Sequence, residues 1–98
     1  MFVRIVKMEF QVDKIDFFLN NFERVKEKIR SFSGCLHLEL YRDNKQQHIF
    51  FTYSKWNKES DLENYRKSAL FKKVWSETKP LFLNKAEAWS VDVLYKLD

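Results

Sequence analysis

Few residues in this chain of 98 are equipped for chemistry: two histidines, His37 and His48, a single thiol, Cys35, and carboxylates and phenols spread along the sequence. His37 is the best proton acceptor among them, because an imidazole titrates at roughly 6.5. Its commoner use on a strand is a plain hydrogen bond, and Glu39, two residues on, has the matching option of pairing with a Lys or Arg. Nothing beside Cys35 in sequence activates a thiolate, so it reads as a small buried apolar residue. Across a hairpin centred on Asn44 and Lys45 the two histidines fall four or five residues out of register. At about 3.3 Å per residue that exceeds ten ångströms, too far for a shared metal ion. One glycine cannot build a phosphate-cradling loop. The run Glu23-Arg24-Val25-Lys26-Glu27-Lys28 mixes signs as a solvated helix face does.

These groups sit in an ordinary folded composition. Hydrophobic residues are 45% and charged residues 33%, which excludes intrinsic disorder. Aromatics reach 17%, with ten Phe, four Tyr and three Trp, and so large an apolar load must be packed against something. Eighteen basic against fourteen acidic residues leave +4, which mildly favours anionic partners but is too small and too mixed to establish one. No apolar run approaches the roughly 20 residues of a membrane span, and Arg4 and Lys7 interrupt the first segment before a leader's apolar region forms. A lone cysteine suits a reducing compartment, and the cytoplasm is the expected location. Length and the absence of linkers predict one domain over residues 1–98.

The elements that must position the chemistry follow from periodicity. Phe2, Arg4, Val6, Met8, Phe10 and Val12 alternate with Val3, Ile5, Lys7, Glu9 and Gln11, a strand. Asp13 is placed to cap a helix whose stripe is Ile15, Phe18, Leu19, Phe22, Val25 and Ile29, with Gly34 just past its end. Cys35 to Arg42 and His48 to Trp56 are two strands joined by a short polar connector. On the first, Cys35, His37, Glu39 and Tyr41 oppose Leu36, Leu38 and Leu40. On the second, Ile49, Phe51 and Tyr53 oppose His48, Phe50, Thr52 and Ser54. Asn57 or Ser60 caps a second helical region that breaks near Lys67-Ser68 and ends at Pro80. A last strand is expected over Lys85 to Tyr95.

This order predicts an α+β fold, the ferredoxin-like βαββαβ plan with a four-stranded antiparallel sheet. Helices cover only one face of such a sheet, yet the strands carry large apolar groups on both. Two sheets packed face to face as a homodimer would dry the second face.

Three runs carry a family resemblance. They are Phe32-Ser33-Gly34-Cys35-Leu36-His37-Leu38-Glu39-Leu40-Tyr41-Arg42, Phe50-Phe51-Thr52-Tyr53-Ser54-Lys55-Trp56 and Leu62-Glu63-Asn64-Tyr65-Arg66-Lys67-Ser68-Ala69-Leu70-Phe71. Together they resemble the antibiotic biosynthesis monooxygenase (ABM) family, whose members have a Gly-Cys strand start, a strand ending in Trp, and a helix pair with Leu-x-x-His and a terminal Phe. The chain departs from that pattern at Tyr65 and Leu70, where histidines are common, and at Ser54, where an acid is frequent. The related haem-degrading branch implies positions near Met8, Tyr65 and Trp75. Trp75 stands where the iron-binding histidine is expected, and an indole offers iron no lone pair.

The resemblance implies a dimeric α/β barrel and oxygenation of a quinol- or anthrone-like aromatic without metal, flavin or other cofactor. Such chemistry needs a dry cavity, an acceptor for one proton and donors that hold the anion. Met8, Phe10, Phe22, Phe51, Tyr65, Phe71 and Trp75 are the expected walls. Tyr65 and His37 are the catalytic candidates, with Glu39 and Arg4 as further polar groups. His37 is compatible with either the cavity or the dimer seam, and Arg4 with snorkelling to a sheet edge. A non-turning-over binding or stress-related homologue is the alternative. An RNA-recognition module shares the element order and the Phe51/Tyr53 spacing, but its third strand opens with a basic residue and Gly rather than Gln47-His48.

Overall fold

Alternation makes the first segment a strand, β1 (Phe2–Phe10), in the computed structural model, which describes residues 1–98. A 3-10 turn at Val12–Lys14 leads into α1 (Ile15–Arg30), followed by β2 (Cys35–Arg42), β3 (Ile49–Trp56), α2 (Glu59–Lys67), α3 (Ala69–Thr78), a second 3-10 turn at Lys79–Leu81, and β4 (Phe82–Val91). The strands form one antiparallel sheet in the order β2-β3-β1-β4, the ferredoxin-like α+β arrangement. No helix is long and apolar enough to cross a membrane.

The helices bury one face of the sheet in two separate clusters. Phe2, Cys35 and Trp56 pack with Ile29 of α1 and with Leu62 and Tyr65 of α2. Met8, Phe10 and Phe50 pack with Ile15 and Phe18, and Phe10 stacks on Phe18 with ring centres 4.2 Å apart.

Local chemistry differs from expectation at both helix starts. Asp13 lies inside the 3-10 turn and caps nothing; the chain enters α1 through Lys14, whose N–H is already bonded to the Gln11 carbonyl at 2.9 Å. Helix α2 is capped at Lys58 rather than at Asn57 or Ser60, and Asp61 reaches back to accept the Lys58 N–H at 3.1 Å. The break at Ser68 is present. Its hydroxyl accepts from the Phe71 N–H at 3.1 Å and donates to the Tyr65 carbonyl at 2.6 Å, ending α2 and starting α3. Gly34 has φ +89°, a left-handed turn, and a side chain there would run into Asp61.

Two strand expectations are corrected. Cys35 pairs with Trp56 and His37 with Lys55, so Leu36 is an extra residue, a β-bulge. The bulge turns Cys35 inward together with Leu38 and Leu40, and leaves His37, Glu39 and Tyr41 on the face away from the helices. Strand β4 begins earlier and ends at Val91, because Val91 pairs with Val3 and β1 offers no partner further on. Val93, Leu94, Tyr95 and Leu97 follow as an exposed tail.

Candidate active site

The two clusters leave a cavity of about 310 Å³ between sheet and helices, within the range of small-molecule sites. Its floor is the inner face of the central strands: Arg4, Val6 and Met8 of β1, with Thr52, Ser54 and Trp56 of β3. Ala86 and Ala88 of β4 also line it, and their methyl groups leave room that larger side chains would fill. Phe22 and Val25 of α1, Tyr65 of α2, and Phe71 and Trp75 of α3 form the roof.

Tyr65 sits at the aromatic centre of the site. Its ring lies 5.2 Å from Trp56, 5.2 Å from Phe71 and 5.3 Å from Phe32. Burial pushes its phenol well above the ordinary value, so at neutral pH the hydroxyl is a hydrogen-bond donor and not a base. Trp56 is almost fully buried, and its indole N–H donates to Ser54 Oγ at 3.0 Å. Phe71 and Trp75 lie nearly parallel, 5.9 Å apart, one turn of α3 from each other.

Arg4 is in the cavity, not at a sheet edge, because β1 is flanked by β3 and β4. Its guanidinium donates to Ser90 Oγ at 3.0 Å. Burial, and then the like charge of Arg66, lower its pKa, while Glu63 opposes them. Arg66 lines the same cavity, as do Asn21, Thr78 and Glu77, the one carboxylate on its wall.

Of the expected wall residues, Met8, Phe22, Tyr65, Phe71 and Trp75 are brought together here. Phe10 is not a wall residue; it is sealed in the second cluster beneath Phe18, Phe50 and Phe82. Phe51 lies on the opposite face of the sheet, since it pairs with Lys7 and Tyr41 and alternates with the inward Phe50 and Thr52. His37 is on that opposite face too, turned there by the Leu36 bulge. Its Nε2 is 2.5 Å from Glu39 Oε1, and this bond first, then Tyr41, holds the Glu39 carboxyl below its usual range.

Sequence reasoning passed over Glu77 and Arg66. Glu77 follows Val74 by three residues and so borders the apolar stripe of α3, a signal the spacing did carry.

The sequence profile of the antibiotic biosynthesis monooxygenase family matches residues 1–75. Among solved structures, a crystal structure of an antibiotic biosynthesis monooxygenase superposes with a TM-score of 0.90 at 19% identity, covering 97% of this chain and 100% of that one. A conserved protein from Methanosarcina mazei gives 0.87 at 19% identity over 94% and 92% of the two chains. A Nitrosomonas europaea protein described as an antibiotic biosynthesis monooxygenase gives 0.89 at 16% identity over 97% and 100%. Such likeness at low identity speaks for the fold. None of the curated proteins matches this sequence. The profile, however, spans well over half of the 98 residues, from β1 to the Trp75 side of the cavity, and the chain belongs to the antibiotic biosynthesis monooxygenase family.

Proposed function

We propose that this protein is a cofactor-independent monooxygenase that oxygenates a small quinol- or anthrone-like aromatic in the cavity between sheet and helices, as a homodimer. The observation that carries the reading is the aromatic-walled cavity itself, with one carboxylate and one buried phenol on its lining.

The chemistry balances without an added reductant. Glu77 accepts a proton from the activated ring carbon of an anthrone, and the Tyr65 hydroxyl donates a hydrogen bond to the oxyanion that forms. The carbanion passes one electron to dioxygen, and the resulting radical and superoxide combine into a peroxide anion through a new C–O bond. The proton returns to the outer oxygen. Loss of the second ring-carbon proton then breaks the O–O bond, leaving a carbonyl and releasing water. A CH2 group and O2 become C=O and H2O. Exclusion of water by Phe22, Phe71 and Trp75 protects the anion from reprotonation.

The face of the sheet away from the helices supports the dimer: Tyr41, Trp89 and Val91 are each at least 40% exposed there. The buried free thiol of Cys35 supports a reducing, cytoplasmic setting.

Oxygen uptake with a panel of anthrones and quinols, under ¹⁸O2, tests the proposal. One labelled atom should enter the product. Glu77→Gln should lower kcat by about 100-fold or more, as loss of a general base does. Tyr65→Phe should lower it by about 100-fold, the loss of one oxyanion donor, and His37→Ala by less than about twofold. A flat trace across the panel from intact protein would instead favour the binding homologue.

A further inference from the structure

The cavity is electrically lopsided. Arg4 is half-buried on a central strand, its side chain donates to a neutral hydroxyl, and no carboxylate comes within ion-pair distance of it. Arg66 lines the same space and is paired, on its exposed side, with Glu63 at 3.5 Å. On the lining, Arg4 and Arg66 stand against the single carboxylate of Glu77, a surplus of one positive charge, and Glu77 makes no ion pair with either guanidinium.

A cation withdrawn from water without a counter-charge is unfavourable until an anion completes it. The planar guanidinium presents paired donors that match the two oxygens of a carboxylate, and a single surplus charge matches a monoanion better than a dianionic phosphate ester. We propose that the substrates of this cavity are aromatic carboxylates, bound through Arg4 with Arg66 in support. The inference rests on the reading of the cavity as the substrate site. Anchored at that end, the ring lies against Phe71 and Trp75, with its other edge directed towards Glu77.

Calorimetric titration of the full chain with 2-naphthoate and with its neutral counterpart, 2-naphthamide, tests this. Naphthoate should bind at least about tenfold more tightly, in line with a charge-assisted pair. Arg4→Met should erase that preference while leaving naphthamide affinity within about twofold, and Arg4→Lys should retain part of it. Arg66→Gln, an exposed substitution that leaves the fold intact, should reduce the preference about threefold and decides the matter should Arg4→Met fail to fold. Equal affinity of the two ligands for the wild type overturns the inference alone, as does a preference untouched by these variants. Binding of neither ligand overturns both it and the reading of the site. A clear naphthoate preference without oxygen uptake on any substrate supports the inference and counts against oxygenation.

Discussion

At the scale of single residues, the protein is governed by polar groups placed inside an aromatic interior. Burial raises both Tyr65 and Cys35 above their ordinary values; for Cys35 the His37 backbone and the charge of Arg30 act the other way. Raised values mean that the folded chain keeps protons that the unfolded chain gives up. Their stabilisation is therefore complete below the unfolded values, about 8.5 for a thiol and about 10 for a phenol, and is lost as pH rises beyond them. For Tyr65 the loss reaches about 1.4 kcal/mol by pH 11. Urea midpoints measured from pH 7 to 11 should fall steadily above pH 9, and Tyr65→Phe should flatten the upper part of the fall. A midpoint that stays level in the wild type would show that the phenol is not buried as described.

Elements set which of these residues can meet. Ser68 joins α2 to α3 by two hydrogen bonds, and the joint holds Tyr65 on one side of it and Phe71 and Trp75 on the other. Ser68→Ala should lower stability by about 1–2 kcal/mol, read from denaturant unfolding, and weaken naphthamide binding several-fold; Ser68→Asp should restore the capping part. The order of strands and helices was legible because each hydrophobic period is local, and Gly34 and Ser68 mark real boundaries. The face of His37 was not. An added residue at Leu36 leaves perfect alternation on both sides of it, and only pairing with β3 reveals the slip. The end of β4 was hidden for the same reason: Val93 and Tyr95 continue the alternation after β1 has run out of partners. Alternation places Arg4 on the side of Phe2, Val6 and Met8, but that it lies in the cavity and does not snorkel to a sheet edge depends on β1 being central, which strand order alone decides.

The whole molecule is asymmetric, with helices over one face of the sheet and none over the other. Across the bare face runs a row made by Glu39, Tyr53, Ile5 and Trp89, one from each strand. A two-fold partner whose matching face packs on this row would cover both copies at once, since the same patch serves each. Trp89 is the residue to change: it is 45% exposed, so a charge there leaves the single chain's core untouched. The wild type should sediment at micromolar concentration with twice the 12.0 kDa mass of the chain, and Trp89→Lys should weaken association at least tenfold with an unchanged circular dichroism spectrum. Ser90, the next residue, holds Arg4 from the edge strand β4, which pairs only with β1. In such a dimer the partner would also brace the strand that positions the cavity's charged end, and naphthoate preference should fall with dissociation. A wild-type chain that sediments singly and still discriminates naphthoate from naphthamide would separate the site from the interface and refute the dimer.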